Sequence, residues 1–232
     1  QFWERTAAAN ALPSTAAPSP GAFEQAFLKA ADAGYESVIC ITLASKLSAT
    51  FQAATNAAGM VADRVEVRVI DSFSCTVAQG SLCLEASEKS LKGDSLDEVV
   101  ASVESLRSRV HLFGVLDTVE NLRKGGRIGA AGAMFASLLA VKPVITIENG
   151  EVLPKSRQRT RSKALPYLAD LVTQNGSVEH VRVAHSGATD VADFVELLRP
   201  VVEPSQVMVV DIGPTIGVHG GPRLIAVSYA TI

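Results

Sequence analysis

Two rhythms of apolar and polar positions alternate along the first half of the chain, one suited to helices and one to short buried strands. Ser19-Pro20 opens the first clear helix, with serine as N-cap and proline in the first helical position. Its apolar spacing carries it to Ala33, and Gly34 stops it. Ser37–Leu43 is an apolar run of strand length, and Ser48 stands at the start of a helix continuing through Ala62. Val65–Ile70 predicts a second strand ending at Asp71-Ser72, and Thr76–Leu91 predicts a helix broken by Gly93. Ser95-Leu96-Asp97-Glu98 is a capping box whose helix reaches about Arg109. Helices of this length between short apolar strands predict parallel βαβ units.

After Val110 the rhythm changes. Strands are predicted at His111–Leu116, Pro143–Glu148, Glu151–Lys155, His180–His185, Val207–Ile212 and Leu224–Tyr229. Helices are predicted at Ala130–Leu139, Arg161–Gln174 and Thr189–Leu198. Asn149-Gly150 joins two of the strands as a hairpin, since both residue types tolerate positive φ. Leu116–Ile128 reads as a strand end and a short helix, with Asp117 or Thr118 as cap and Gly125 as the left-handed residue that ends it. The pattern predicts an α/β protein of two domains, residues 1–109 with a parallel sheet and residues 110–232 with a mixed one. Phe2, Trp3 and Arg5 look like the middle of a helix, so the chain is expected to lack its original opening segment.

Composition narrows the function. Of 232 residues 47% are hydrophobic and 19% charged, with a net charge of −3, so no global basic field recruits nucleic acid or an acidic membrane surface. The apolar runs are too short to span a bilayer. Cys40, Cys75 and Cys83 have neither CxxC nor metal spacing, which suits reduced thiols in a cytoplasmic protein. The phosphate-binding loops, HExxH and GxSxG templates are absent from the sequence.

Four segments could carry chemistry. Ser45-Lys46-Leu47-Ser48-Ala49-Thr50 hands a strand over to a helix, where free N–H groups and hydroxyls suit a carboxylate or phosphate; Ser48 can equally be a plain helix cap. Thr15 and Ser19 flank a loop before another helix start. Ile212–Pro222 is a glycine- and proline-rich loop that shapes its backbone for close approach and carries His219, a donor to an oxyanion in either charge state. Lys155, Arg157, Arg159, Arg161 and Lys163 alternate, which on an extended segment points all five to one side, as a solvated face or an anionic docking surface.

These pieces together resemble the DegV family of bacterial fatty-acid-binding proteins. The matching segments are Pro13–Pro20, Ile41–Ala54, Val69–Ser74, Leu116–Ile128 with Lys142-Pro143, Arg157–Ala164 and Ile212–Val227. The resemblance implies two α/β domains, a parallel-sheet three-layer domain followed by a mixed-sheet two-layer one, with a long-chain fatty acid buried between them. It implies that Thr15, Ser48 and His219 hold the carboxylate, and that Arg159, or failing it Arg157, presents the head group. Met134, Phe135, Leu138 and Leu139 are candidates to line the acyl tunnel. Family members open with a further strand ending in Asp-Ser, which is not in this sequence. The chain departs from the family pattern at Ala16 and Ala17 in the Thr-Ser-Gln-Pro-Ser loop, at Ala49 in Leu-Ser-Gly-Thr, and at Gly220 and Arg223 in His-Thr-Gly-Pro-Gly.

The function so implied is that of a non-enzymatic cytoplasmic lipid carrier with no cofactor, metal, nucleic acid or membrane-inserted segment. It would offer the carboxylate to a dihydroxyacetone-kinase-like fatty acid kinase, whose acyl phosphate feeds phospholipid metabolism. Two alternatives stand beside it: a serine-dependent esterase or acyl-transfer enzyme using Ser48, His219 and Asp71, and a degenerate family member that binds another carboxylate or none.

Overall fold

The computed structural model describes residues 2–8, 12–135 and 141–232. A short helix, α1 (Phe2–Ala8), leads the chain. Two compact units follow: Ala16–Arg109, and Val110–Ile232 together with the residues up to Thr15. The units part at Arg109 and Val110, but the opening residues group with the second unit, whereas the sequence pattern assigns them to the first. One reason is visible at Trp3, whose ring lies 3.0 Å from where a Cβ on Gly217 would stand. The bare glycine admits the indole.

In the first unit the chain runs α2 (Pro20–Asp32), β1 (Ser37–Thr42), α3 (Thr50–Met60), β2 (Glu66–Asp71), α4 (Thr76–Lys92) and α5 (Leu96–Arg109). Ser19 caps α2, accepting from the Ala22 N–H at 3.3 Å, a bond whose loss costs such a helix about 1 kcal/mol. Strands β1 and β2 pair in parallel, Ser37 opposite Glu66 through Thr42 opposite Asp71. Phe27, Ala57, Val61 and Val65 form a core between α2, α3 and the strands. The capping box at α5 is present as read: the Ser95 N–H donates to the Glu98 carboxylate at 2.8 Å and Ser95 Oγ accepts from the Glu98 N–H at 3.4 Å.

In the second unit the chain runs β3 (Val110–Val115), α6 (Glu120–Lys124), α7 (Ala131–Phe135), β4 (Lys142–Glu148), β5 (Glu151–Gln158), α8 (Arg161–Thr173), β6 (Val178–His185), α9 (Val191–Leu197), β7 (Met208–Asp211), α10 (Pro214–Gly220) and β8 (Ile225–Thr231). The six strands order as β5-β4-β3-β8-β6-β7. All neighbours are antiparallel except β6 and β7, which makes the sheet mixed. Asn149 and Gly150 both take positive φ at the β4–β5 turn, as a tight hairpin demands. Helices α8 and α9 supply Leu165, Leu168 and Phe194, and the α9 C-cap adds Leu198, to a core shared with Val115, Val183, Ile225 and Val227 of the sheet. Burying each such side chain contributes about 1.5–3 kcal/mol.

Several local expectations change. Strand β5 runs to Gln158 rather than Lys155, because its pairing with β4 continues to Lys142 opposite Gln158. The glycine-rich stretch read as a loop contains α10, opened by Pro214 at its first turn. Helix α7 ends at Phe135, and the rest of the expected helix lies outside the described residues. The left-handed residue after α6 is Gly126, at φ +69, whereas Gly125 stays right-handed at φ −80.

Candidate functional site

In the first unit, Ser48 and Thr50 lie where β1 hands over to α3. Ala49, rather than Ser48, is the residue at the N-cap of α3. Ser48 still serves the helix end: its Oγ accepts from the Thr50 N–H at 3.3 Å and shares a hydrogen bond with Thr50 Oγ1 at 2.8 Å. Asp71 braces the neighbouring loops, its two carboxylate oxygens accepting from the Ser45 N–H at 3.1 Å and the Phe73 N–H at 2.9 Å. The result is a pair of touching hydroxyls on a helix N-terminus, the arrangement that offsets the cost of desolvating an anion.

The second unit builds its own polar pair from the two ends of the sequence. Thr15 Oγ1 lies 2.9 Å from His219 Nε2, although the residues are 204 positions apart. His219 sits in the last turn of α10, and that helix rests on α6. Asn121 of α6 donates from Nδ2 to the Val218 carbonyl at 2.9 Å. One turn later Gly125 faces the imidazole, and a Cβ built there would fall 2.3 Å from Nδ1 and 2.9 Å from Cε1.

The protonation of the ring follows from its surroundings. His219 Nδ1 is buried and meets no hydrogen-bond partner among the described residues. Burial, with the positive charge of Arg127 second, holds the imidazolium below the ordinary histidine range, so the ring is neutral near pH 7. With the proton on Nε2 the ring donates to Thr15 Oγ1 and the threonine O–H is left for another acceptor; with it on Nδ1 the threonine donates to the ring.

The basic run divides at the start of α8. Lys155, Arg157 and Arg159 are exposed along β5, an edge strand, and just past it, and Lys155 Nζ lies over the Phe113 ring at 5.6 Å. Arg161 leaves the alternation because the helix begins there. Its guanidinium grips both oxygens of Asp190, NH2 to Oδ1 at 2.8 Å, and reaches Asp117 at 3.5 Å. Asp117 also takes Lys142 Nζ at 3.0 Å. Arg161 is therefore structural, not part of one basic face.

Of the expected tunnel residues, Met134 is half-buried on α7, Phe135 is the final residue of that helix, and Leu138 and Leu139 lie outside the described residues. Among the described residues, no group of three or more His, Cys, Asp or Glu could hold a metal ion. Nor is any described helix long and apolar enough to cross a membrane.

Asn121 and the contact face of Gly125 were not foreseen from the residues. The paired glycines carried the signal: one of them satisfies the turn, so the other calls for a separate cause.

The fold is that of an α/β protein of two units, each carrying one of these hydrogen-bonded polar pairs. The family model described as "Uncharacterised protein, DegV family" matches residues 1–231, and the chain belongs to that family. A DegV domain-containing protein of Streptomyces coelicolor is 34% identical over 218 residues, spanning 92% of this chain and 77% of that protein. The fatty acid binding DegV family protein of Streptococcus agalactiae has a similar solved structure, with a TM-score of 0.90 at 25% identity over 100% of this chain and 83% of that one. The structure described as fatty acid binding of a DegV family protein from Thermus thermophilus gives 0.89 at 29% identity with coverage of 100% and 83%.

Proposed function

We propose that this chain binds a long-chain fatty acid, with Thr15 and His219 receiving the carboxylate and Ser48 with Thr50 supplying the other hydroxyls. The observation that carries this reading is the Thr15–His219 hydrogen bond at 2.9 Å. A neutral imidazole that commits its proton to a hydroxyl turns that hydroxyl toward an acceptor, and the related structures are described as binding fatty acids, whose polar end is a carboxylate. Each methylene of the tail taken out of water contributes about 0.8 kcal/mol, so the polar end needs only to orient the lipid and offset its desolvation.

The carrier then offers the carboxylate to a fatty acid kinase of the dihydroxyacetone-kinase type, which forms the acyl phosphate for phospholipid metabolism in the cytoplasm. The exposed cations Lys155, Arg157 and Arg159 support such a partner: three positive charges on and just past an edge strand attract an acidic surface and speed encounter with it. Arg159, with Arg157 beside it, is the residue assigned to that contact. Met134 and Phe135 remain candidates for the acyl lining. The esterase alternative draws no support from local bonding, since the Ser48 hydroxyl engages Thr50, the His219 ring engages Thr15, and Asp71 ties backbone.

A Thr15→Ala, Ser48→Ala double variant tests the reading. Purified from bacteria, it should carry no fatty acid where the parent chain does. Equal lipid content in the two proteins would overturn the assignment.

A further inference from the structure

Gly125 needs a reason to be glycine that the turn does not supply. Its φ of −80 is open to any residue, and the left-handed step after α6 falls on Gly126. The reason lies across the contact with α10. An alanine methyl at 125 would stand 2.3 Å from His219 Nδ1 and 2.9 Å from Cε1, closer than such atoms pack, and a tight 3.1 Å from the Asn121 carbonyl oxygen. The methyl has little room to retreat toward the α6 backbone, so the imidazole must yield. The same short helix fixes the other side of the contact: the Gly125 N–H donates to the Asn121 carbonyl at 2.9 Å, and the Asn121 side chain holds the Val218 carbonyl one residue before His219. Arg127 NH1 donates to the Gly125 carbonyl at 2.8 Å, which pins the peptide beneath the ring.

We propose that Gly125 is a positioning residue of the carboxylate site: its bare Cα is the floor on which the His219 ring lies, and that floor sets the reach of Nε2 to Thr15. The inference rests on the fatty-acid reading for its consequence in binding, but the placement of the ring is a property of the protein alone. Any side chain at 125 lifts the ring, breaks the bond to Thr15 and frees the threonine hydroxyl to turn away from the ligand. Gly126 is the natural control. It takes φ +69 with no heavy atom within 4 Å of a built Cβ, so asparagine, which tolerates that conformation, changes the same turn without touching the ring.

The experiment compares the parent chain, Gly125→Ala, Gly126→Asn, His219→Ala and the Gly125→Ala, His219→Ala double variant by two readouts. The first is the ring nitrogen spectrum of His219 in ligand-free protein, which reports tautomer and hydrogen bonding. The second is oleate affinity by calorimetry. Gly125→Ala should move the His219 ring signals and weaken oleate about tenfold or more, the loss of one hydrogen bond to a charged group. Gly126→Asn should leave both readouts unchanged. In the His219→Ala background, Gly125→Ala should cost nothing further, because the group it displaces is gone. Unmoved ring signals in Gly125→Ala, or an equal loss of affinity with and without the imidazole, would overturn the positioning role. If instead His219→Ala binds oleate as the parent does, the carboxylate role of His219 fails, and the ring signals alone still decide whether Gly125 places the histidine; a parent chain that binds no oleate is what would sink the lipid reading.

Discussion

The two polar pairs look alike in distance and differ in construction. Ser48 and Thr50 meet at 2.8 Å, two residues apart, within one turn at the start of α3. Thr15 and His219 meet at 2.9 Å across 204 residues, and the histidine's place depends on α10 resting on Asn121 and Gly125 of α6. The first pair is made by the chain's local path, so it withstands distant change. The second is made by packing, so substitutions that touch neither partner can undo it. Ala49 illustrates the first case: a glycine of the family pattern is replaced, yet the hydroxyls on either side still bond to each other.

That contrast breaks most visibly at the long-range pair. His219→Ala removes the ring and leaves Thr15 without its partner, and should weaken oleate by about ten- to a hundredfold, the range for losing a charged hydrogen bond. Calorimetric titration checks it; a change under twofold would mean the packed pair is not the carboxylate anchor. Asn121→Ala, which touches neither Thr15 nor His219, should lower stability by about 1–2 kcal/mol in urea unfolding through the freed Val218 carbonyl and weaken oleate as well. Ser48→Ala, at the local pair, should cost about 0.5–1 kcal/mol of stability through the end of α3 and leave the affinity effect of His219→Ala unaltered. Non-additive losses in that double variant would show that the two pairs are not independent.

The same division governs what could be read in advance. The strands, most helices, the capping box at Ser95, the Ser19 cap and the Asn149-Gly150 hairpin follow from short-range chemistry and stand in the structure close to where the pattern puts them. The misreadings have long-range causes. Arg161 seemed to extend a basic stripe until α8 turned it onto Asp190. Ile212–Pro222 seemed a loop because glycine and proline are poor helix formers, yet Pro214 opens α10 and the bare Gly217 accepts the Trp3 ring. The pairing of Thr15 with His219 came only from family resemblance, since nothing local links residues at opposite ends of a sequence. Gly125 was credited with the turn that Gly126 makes, because a contact across two helices leaves no periodicity.

The smallest effect is on pH dependence. Burial lowers the proton affinity of both His219 and His111 in the folded protein, while in the unfolded chain histidine titrates near about 6.5. The unfolded state therefore binds more protons just below that value, and stability should be full above it and fall as the pH drops toward the folded-state values. Asp190, held below the usual carboxylate range chiefly by its hydrogen bonds from Arg161, adds a separate loss that begins only below about pH 4. Urea midpoints taken between pH 7.5 and 5.5 should decline, and His219→Asn should flatten part of that slope; an unchanged slope would place the imidazole outside the folding linkage.

Native mass spectrometry of the chain purified from bacteria reaches the central claim most directly. The protein should fly with one noncovalent adduct whose released mass is that of a long-chain fatty acid, and Gly125→Ala should carry less of it. A spectrum of bare protein that stays bare after incubation with oleate would contradict the account.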